Sequence, residues 1–241
     1  MYRKKYYSLL ILFLIISAPL FGKGKILKFG NPQDIKSLNL PKSFSISGEK
    51  LPSGMSKTFT FSVDLKKEVS LGRVEGKFDL LEVKDLKTRG KQGHPRVPVK
   101  VFTFELPENS VILGVEIIKG KYVEIKNRLK IAPVPEPVKI GMKFPKKAIR
   151  LIPDKKVYSL NSLFPGKIVS YVSGKRKKKV VGAVYFYPVQ YNPAEKKAYL
   201  IYSAQINLYY RINGDKEIES TSSFNPGGPE CIIICLSLIH I

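Results

Sequence analysis

The sequence holds two cysteines and two histidines in 241 residues, and their placement bounds the chemistry open to it. A thiolate nucleophile needs an imidazole or similar base beside it, and a structural metal takes about four such ligands at short spacings. Residues 1–230 contain no cysteine and a single histidine, His94, while Cys231, Cys235 and His240 crowd into the last eleven positions. In an extended segment Cys231 and Cys235 would stand about 13 Å apart at ~3.3 Å per residue, too far for a disulfide. The sequence therefore predicts no catalytic residue, no metal site and no cofactor. What stands out instead is a run of five cations, Lys175, Arg176, Lys177, Lys178 and Lys179, inside "SGKRKKK". Five adjacent positive charges repel one another, so folding alone does not favour the run. An acidic partner would, because Arg pairs with a carboxylate through two hydrogen bonds and Lys as a point charge.

The whole chain is basic, with 42 Lys and Arg against 19 Asp and Glu, a formal net charge of +23. A small part of that belongs to the N-terminus. "MYRKKYYSLLILFLIISAPLFGKG" opens with Arg3, Lys4 and Lys5 and continues in an apolar run from Ser8 to Phe21. That is the layout of a secretory signal peptide, residues 1–22, cut after Ala18 or Gly22. The run is shorter than the ~20 apolar residues a spanning helix needs, so no stable membrane insertion is expected after cleavage. Export to the outside or the cell surface argues against intracellular nucleic acid as a partner. The Lys and Arg are also spread over nearly every strand and turn, not gathered on one aromatic-lined face. Anionic cell-surface polymers stay open as partners for so basic a protein.

The elements that must carry these groups read as strands. "KTFTFSVDL" (57–65) alternates Phe59, Phe61 and Val63 on one face, and "VPVKVFTFELP" (97–107) alternates in the same way. Residues 72–88 form an extended stretch that could in part be helical, and 110–125 read as two strands around a turn at Lys119–Gly120–Lys121. "IAPVPEPV" (131–138) has prolines at 133, 135 and 137, which exclude a helix and predict an extended connector on the surface or at a sheet edge. After an irregular stretch that ends in "FPGK" (164–167), strands resume at 167–174, 179–193 and 196–214. Between Pro188 and Pro193, "VQYN" is predicted to turn or bulge at a strand end, with the Tyr191 ring on the core and its hydroxyl hydrogen-bonded. Short connections predict antiparallel pairing, and outside the signal no 3.6-residue period appears. The predicted fold is all-β, an antiparallel sandwich or a jelly-roll-like barrel. Residues 211–230 turn polar and read as a linker, the kind of segment proteases cut, with Arg211 and Lys216 as processing candidates.

Three stretches carry a family resemblance: "GHPRVPVKVFTFELPENSVILGVEI" (93–117), "LKIAPVPEP" (129–137) and "VVGAVYFYPVQYNPAEKKAYL" (180–200). Their order resembles that of the N-terminal propeptide of gingipain-type cysteine peptidases, through Gly93, Pro95 and Pro98, the Leu-Pro turn at Pro107, and Pro188, Gln190, Tyr191, Asn192 and Pro193. The resemblance covers roughly 57–212 and implies a prodomain at 23–210, a processing linker at 211–230, and the first strand of an incomplete α/β peptidase domain in "CIIIC" from 231. The closing residues from about 235, "LSLIHI", look like a translated sequencing-adapter remnant. The resemblance further implies a folding chaperone and latency-keeping inhibitor, whose partner is the cognate cysteine peptidase catalytic domain in cis. By analogy with basic-specific members, Arg176 or Lys175 would enter a carboxylate-bearing specificity pocket. The competing expectation is a secreted β-sandwich binding module for anionic surface polymers.

Overall fold

The computed structural model describes residues 26–38, 55–75, 77–137 and 150–212. The predicted signal peptide, Lys216, Cys231 and Cys235 lie outside the described residues, as does most of the predicted linker. Eleven strands follow in chain order: β1 (Gln33–Asp34), β2 (Ser56–Ser62), β3 (Val69–Val74), β4 (Phe78–Val83), β5 (Lys87–Thr88), β6 (Pro98–Leu106), β7 (Ser110–Ile125), β8 (Val169–Arg176), β9 (Lys179–Phe186), β10 (Val189–Asn192) and β11 (Lys197–Ile212). The only helical pieces among the described residues are a 3-10 turn at Ile35–Ser37 and a four-residue helix α1, Lys155–Tyr158. Every strand pair is antiparallel, as the all-β reading expected. The stretch at 72–88 holds no helix; it supplies the β3–β4 hairpin.

Two long strands form the spine. β7 and β11, 16 residues each, pair from Ala198↔Ile125 to Ile212↔Ser110. The other edge of β11 is shared, with β10 beside Lys197–Leu200 and β2 beside Ser203–Tyr209. A second sheet runs β5-β6-β9-β8. Phe59 and Phe61 of β2 meet Phe102 of β6 and Phe186 of β9, ring centroids 5.2 and 4.9 Å apart, so the two larger sheets face each other across one core. The β3–β4 hairpin and the connector near Ile131 bury a second core against the opposite face of the spine, around Leu81, Val123, Ile125 and Leu200.

One spine serves two cores because its alternation is broken. Tyr202 is an extra residue on β11 between Ile201↔Tyr122 and Ser203↔Lys121, and Ile118 is one on β7 between Ile117↔Ile206 and Lys119↔Gln205. A bulge residue shifts the phase of a period-2 strand. Leu200 thus joins the second core, while Ile201 and Ala204, three apart, both join the first.

Two expectations need correction. The predicted turn at Lys119–Gly120–Lys121 does not exist, because β7 runs straight through it. Gly120 is there for close approach: a Cβ would stand 2.9 Å from the Ser203 carbonyl oxygen and 3.3 Å from Ile35. "VQYN" neither turns nor bulges; it is β10, in regular register with Leu200–Lys197. The break lies earlier, at Tyr187–Pro188, where the chain leaves the second sheet for the first, so 179–193 is two strands. The connector at 131 is extended and runs along a strand edge, as expected: Ile131 bridges Asp79 of β4, Ile131, Ala132 and Pro133 are buried, and Glu136 and Pro137 are exposed. It pairs with 93–96 through Arg96 N–H to Ala132 O (2.8 Å), Gly93 N–H to Val134 O (3.0 Å) and Val134 N–H to His94 O (2.8 Å). One Pro-rich stretch therefore seals the other, each supplying the donors its partner's prolines lack.

Candidate functional site

The cationic run sits on the tightest hairpin of the second sheet. Arg176 pairs with Lys179, which leaves Lys177 and Lys178 as the two-residue turn between β8 and β9. Two-residue turns ask for positive φ and favour Gly or Asn. Here Lys177 takes φ +54°, a left-handed conformation that costs a residue with a Cβ roughly 1–2 kcal/mol. All five side chains from Lys175 to Lys179 are exposed. Glu105 of β6 forms an ion pair with Lys179, whose ammonium holds the carboxyl below its usual range. Glu105 carries no weight in the sequence reading. Its signal was its place on the outward side of the 97–107 alternation, among cations.

The geometry around this tip is set by connectivity. Leu106 at the end of β6 pairs with Val180, next to the tip. Four residues later the chain begins β7 at Ser110, whose N–H and hydroxyl both reach the Pro107 carbonyl, at 3.4 and 2.7 Å. Ser110 pairs with Ile212, the last described residue of β11. The start of β2 lies there too, with the Lys57 ammonium 3.5 Å from the Glu105 carbonyl oxygen. The cationic tip and the exit of the chain at Ile212 therefore share one end of the molecule. β11 runs two residues past the predicted boundary. Arg211 pairs with Val111 within the ladder, so it is exposed but not in an unpaired linker.

Apart from Pro107, which lies at the tip end, the motif residues occupy the other end and act on packing. Gly93 is buried at φ +80°, where a Cβ would lie 3.2 Å from the Asp154 amide nitrogen and 3.3 Å from the Ile152 carbonyl oxygen. Asp154 donates its N–H to Gly93 O (3.0 Å) and caps α1 through Lys156 N–H (2.9 Å). Pro95 bridges Pro133, and Pro98 opens β6 opposite Thr88. Pro188 accepts from the Ile201 amide (2.8 Å). Tyr191 is fully buried, and its hydroxyl donates to the Leu129 carbonyl (2.9 Å). Burial pushes its pKa up to about 12. Its backbone exchanges two hydrogen bonds with Phe164, at 2.7 and 2.9 Å, so the outer edge of β10 is covered. Gln190, also buried, donates to the carbonyls of Lys167 (3.2 Å) and Tyr187 (3.1 Å). Asn192 donates to Asn161 (2.9 Å) and accepts from the Glu195 amide (3.2 Å), which closes the turn that Pro193 starts. His94 meets Phe164 edge-on at 5.7 Å. Among the described residues no cluster of His, Cys, Asp and Glu could hold a metal ion. The arrangement offers a charged contact at one end and a rigid scaffold behind it.

No curated protein matches the chain. Two of the solved structures that share the fold come from Porphyromonas gingivalis. One is the complex of Porphyromonas gingivalis RgpB pro- and mature domains, with TM-score 0.58 at 19% identity, covering 71% of this chain and 90% of that one. The other comes from work on the zymogenic latency of gingipain K from Porphyromonas gingivalis, with TM-score 0.52 at 15% identity, covering 66% and 100%. The Propeptide_C25 family profile matches residues 45–222. That match spans most of the sequence, and the chain belongs to the Propeptide_C25 family.

Proposed function

We propose that this chain is the exported propeptide of a gingipain-like cysteine endopeptidase. It folds ahead of the catalytic domain, assists its folding, docks on it in cis and keeps it latent until proteolysis removes the propeptide. The observation that carries this reading is the shared end: Ile212, the last described residue, lies beside the cationic tip. A propeptide silences a peptidase most directly by filling its substrate cleft. The β8–β9 tip projects Lys175–Lys178 into solvent; Glu105 is ion-paired with Lys179 and acts on Arg176 through charge alone. Arg176 or Lys175 would enter a pocket that carries a carboxylate, with the following domain tethered within reach. The charge also suits anionic surface polymers, but that reading gives no reason for the tip and the exit to coincide.

The test is inhibition in trans. The separated propeptide should inhibit its cognate catalytic domain. Replacing 175–179 with Ser and Gly should weaken inhibition at least tenfold, ~1.4 kcal/mol. Inhibition unchanged by that replacement would rule out the tip as the inhibitory contact.

A further inference from the structure

The geometry points to a second contact on the same partner: the outer face of the β5-β6-β9-β8 sheet is an apolar seat for the catalytic domain that follows residue 212. This rests on the proposed docking role and adds the surface on which docking occurs. The register sets the face. Val101, Tyr185 and Ser170 lie in one row across β6, β9 and β8; Thr103, Ala183 and Val172 in the next; Glu105, Val181 and Gly174 in the third. The alternate residues Phe104, Val184 and Phe186 point the other way, into the core between the sheets.

An antiparallel sheet covered on one face normally shows water a polar second face. This one shows valines. Val101 is 41% exposed, Val181 is half-buried, and Val172 is half-buried against the small cluster of Val99, Ala183 and Tyr185. Tyr185 is buried beside Val99, Ala183 and Val172, and the Arg89 guanidinium lies 4.9 Å from its ring centroid. Glu105 is the only ionic group in the three rows, and it is engaged with Lys179. Unbalanced apolar surface rimmed by charge is the pattern of an interaction site.

Charge and connectivity select the occupant. A second copy would bring a net charge of +23 against +23, with the lysine tips at the rim of both faces, so self-association is disfavoured. The face ends at the β8–β9 tip, on the end where the chain leaves at Ile212. Residues 213–230, fully extended, reach about 60 Å at ~3.3–3.6 Å per residue, against about 26 Å for the eight residues of β8. The following domain can therefore lie back along the sheet with the tip at its cleft. Its matching surface should be apolar with an acidic rim, to meet Arg89 and the tip.

The experiment measures binding of the mature chain, residues 23–241, to the separately expressed cognate catalytic domain, with the 175–179 tip intact. Val101→Asp and Val172→Asp should each raise Kd at least tenfold, and Val101→Thr should not. Thr103→Arg, at an exposed position of the same face, gives the same readout if an Asp variant does not fold. Unchanged Kd in the folded variants, alongside weakened inhibition by the Ser/Gly tip, would overturn the seat and leave the latency reading standing. Failure of the unaltered chain to bind would remove both. A dimer in sedimentation that Val101→Asp abolishes would make the face a self-interface and overturn the proposal.

Discussion

Tyr191→Phe isolates one hydroxyl in the second core. The ring of Tyr191 has no exposure, so phenylalanine keeps the packing and removes only the donor to the Leu129 carbonyl. Leu129 is itself fully buried, so its carbonyl loses this partner where water cannot readily replace it. Leaving a buried acceptor unpaired costs ~1–3 kcal/mol. A loss of about 2 kcal/mol should lower the thermal midpoint by roughly 4–8 °C in a domain of this size. Tyr191→Ala also opens a cavity and should cost ~3–5 kcal/mol. The same hydroxyl has a signature in alkali. Its pKa is raised to about 12 by burial, opposed by the Ile131 backbone amide, from an ordinary value of 10.0. A raised folded-state pKa means that its contribution is complete below pH 10 and fades as pH rises through 12, because the unfolded chain gives up the proton first. Tyr158, raised by burial and by its neighbour Tyr191, adds a slope of the same sign. Chemical denaturation across pH 8 to 12 should show stability falling above pH 10 in the parent and falling less steeply in Tyr191→Phe. Equal midpoints for parent and Tyr191→Phe, or identical alkaline slopes, would refute the buried hydrogen bond.

Gly182→Ala should disrupt the second sheet, since a Cβ there would stand 2.2 Å from the Val172 carbonyl oxygen and 2.5 Å from the Phe104 ring; a loss above ~2 kcal/mol by calorimetry is expected. Lys177→Gly should do the opposite, stabilising by ~1 kcal/mol as the φ +54° strain is relieved, while inhibition of the catalytic domain weakens. The mature chain should turn over neither basic nor non-basic fluorogenic peptides, because residues 1–230 hold no cysteine. N-terminal sequencing of the matured enzyme should place the cut beyond Ile212, because Arg211 is held in the β11 ladder; a cut after Arg211 would mean that the strand end opens before cleavage.

The strands were legible wherever one face alternates cleanly, as in β2 and β6. They were misread where residues carry the sign of a turn but serve another purpose. Lys119–Gly120–Lys121 has a turn's composition, yet Gly120 is small because Ser203 and Ile35 press on it, and both are remote in sequence. Pro188 and Pro193 bracket β10 without breaking it, because both lie outside the paired stretch Val189–Asn192. Burial of Ile131 depends on the β3–β4 hairpin folding over it, which no local pattern announces. The cations at 175–179 were plain in the sequence. Their position beside the chain exit was not, because it follows from Leu106↔Val180 and Ser110↔Ile212, pairings between residues far apart in the chain.

The placement of β11 has a consequence in time. It is the last described strand to be synthesised, yet it is the inner strand on which β7, β2 and β10 all depend. Among the described residues neither β2 nor β10 has another full strand partner, and β7 has only the two residues of β1. A chain synthesised from its N-terminus can form the β3–β4 and β6–β9 pairings first, but it must wait for residues 197–212 before its cores close. Contacts of such long sequence separation form slowly. Completion of the fold is thus tied to the moment just before residues 213 onward emerge, so the finished surface first meets whatever follows it in the same chain.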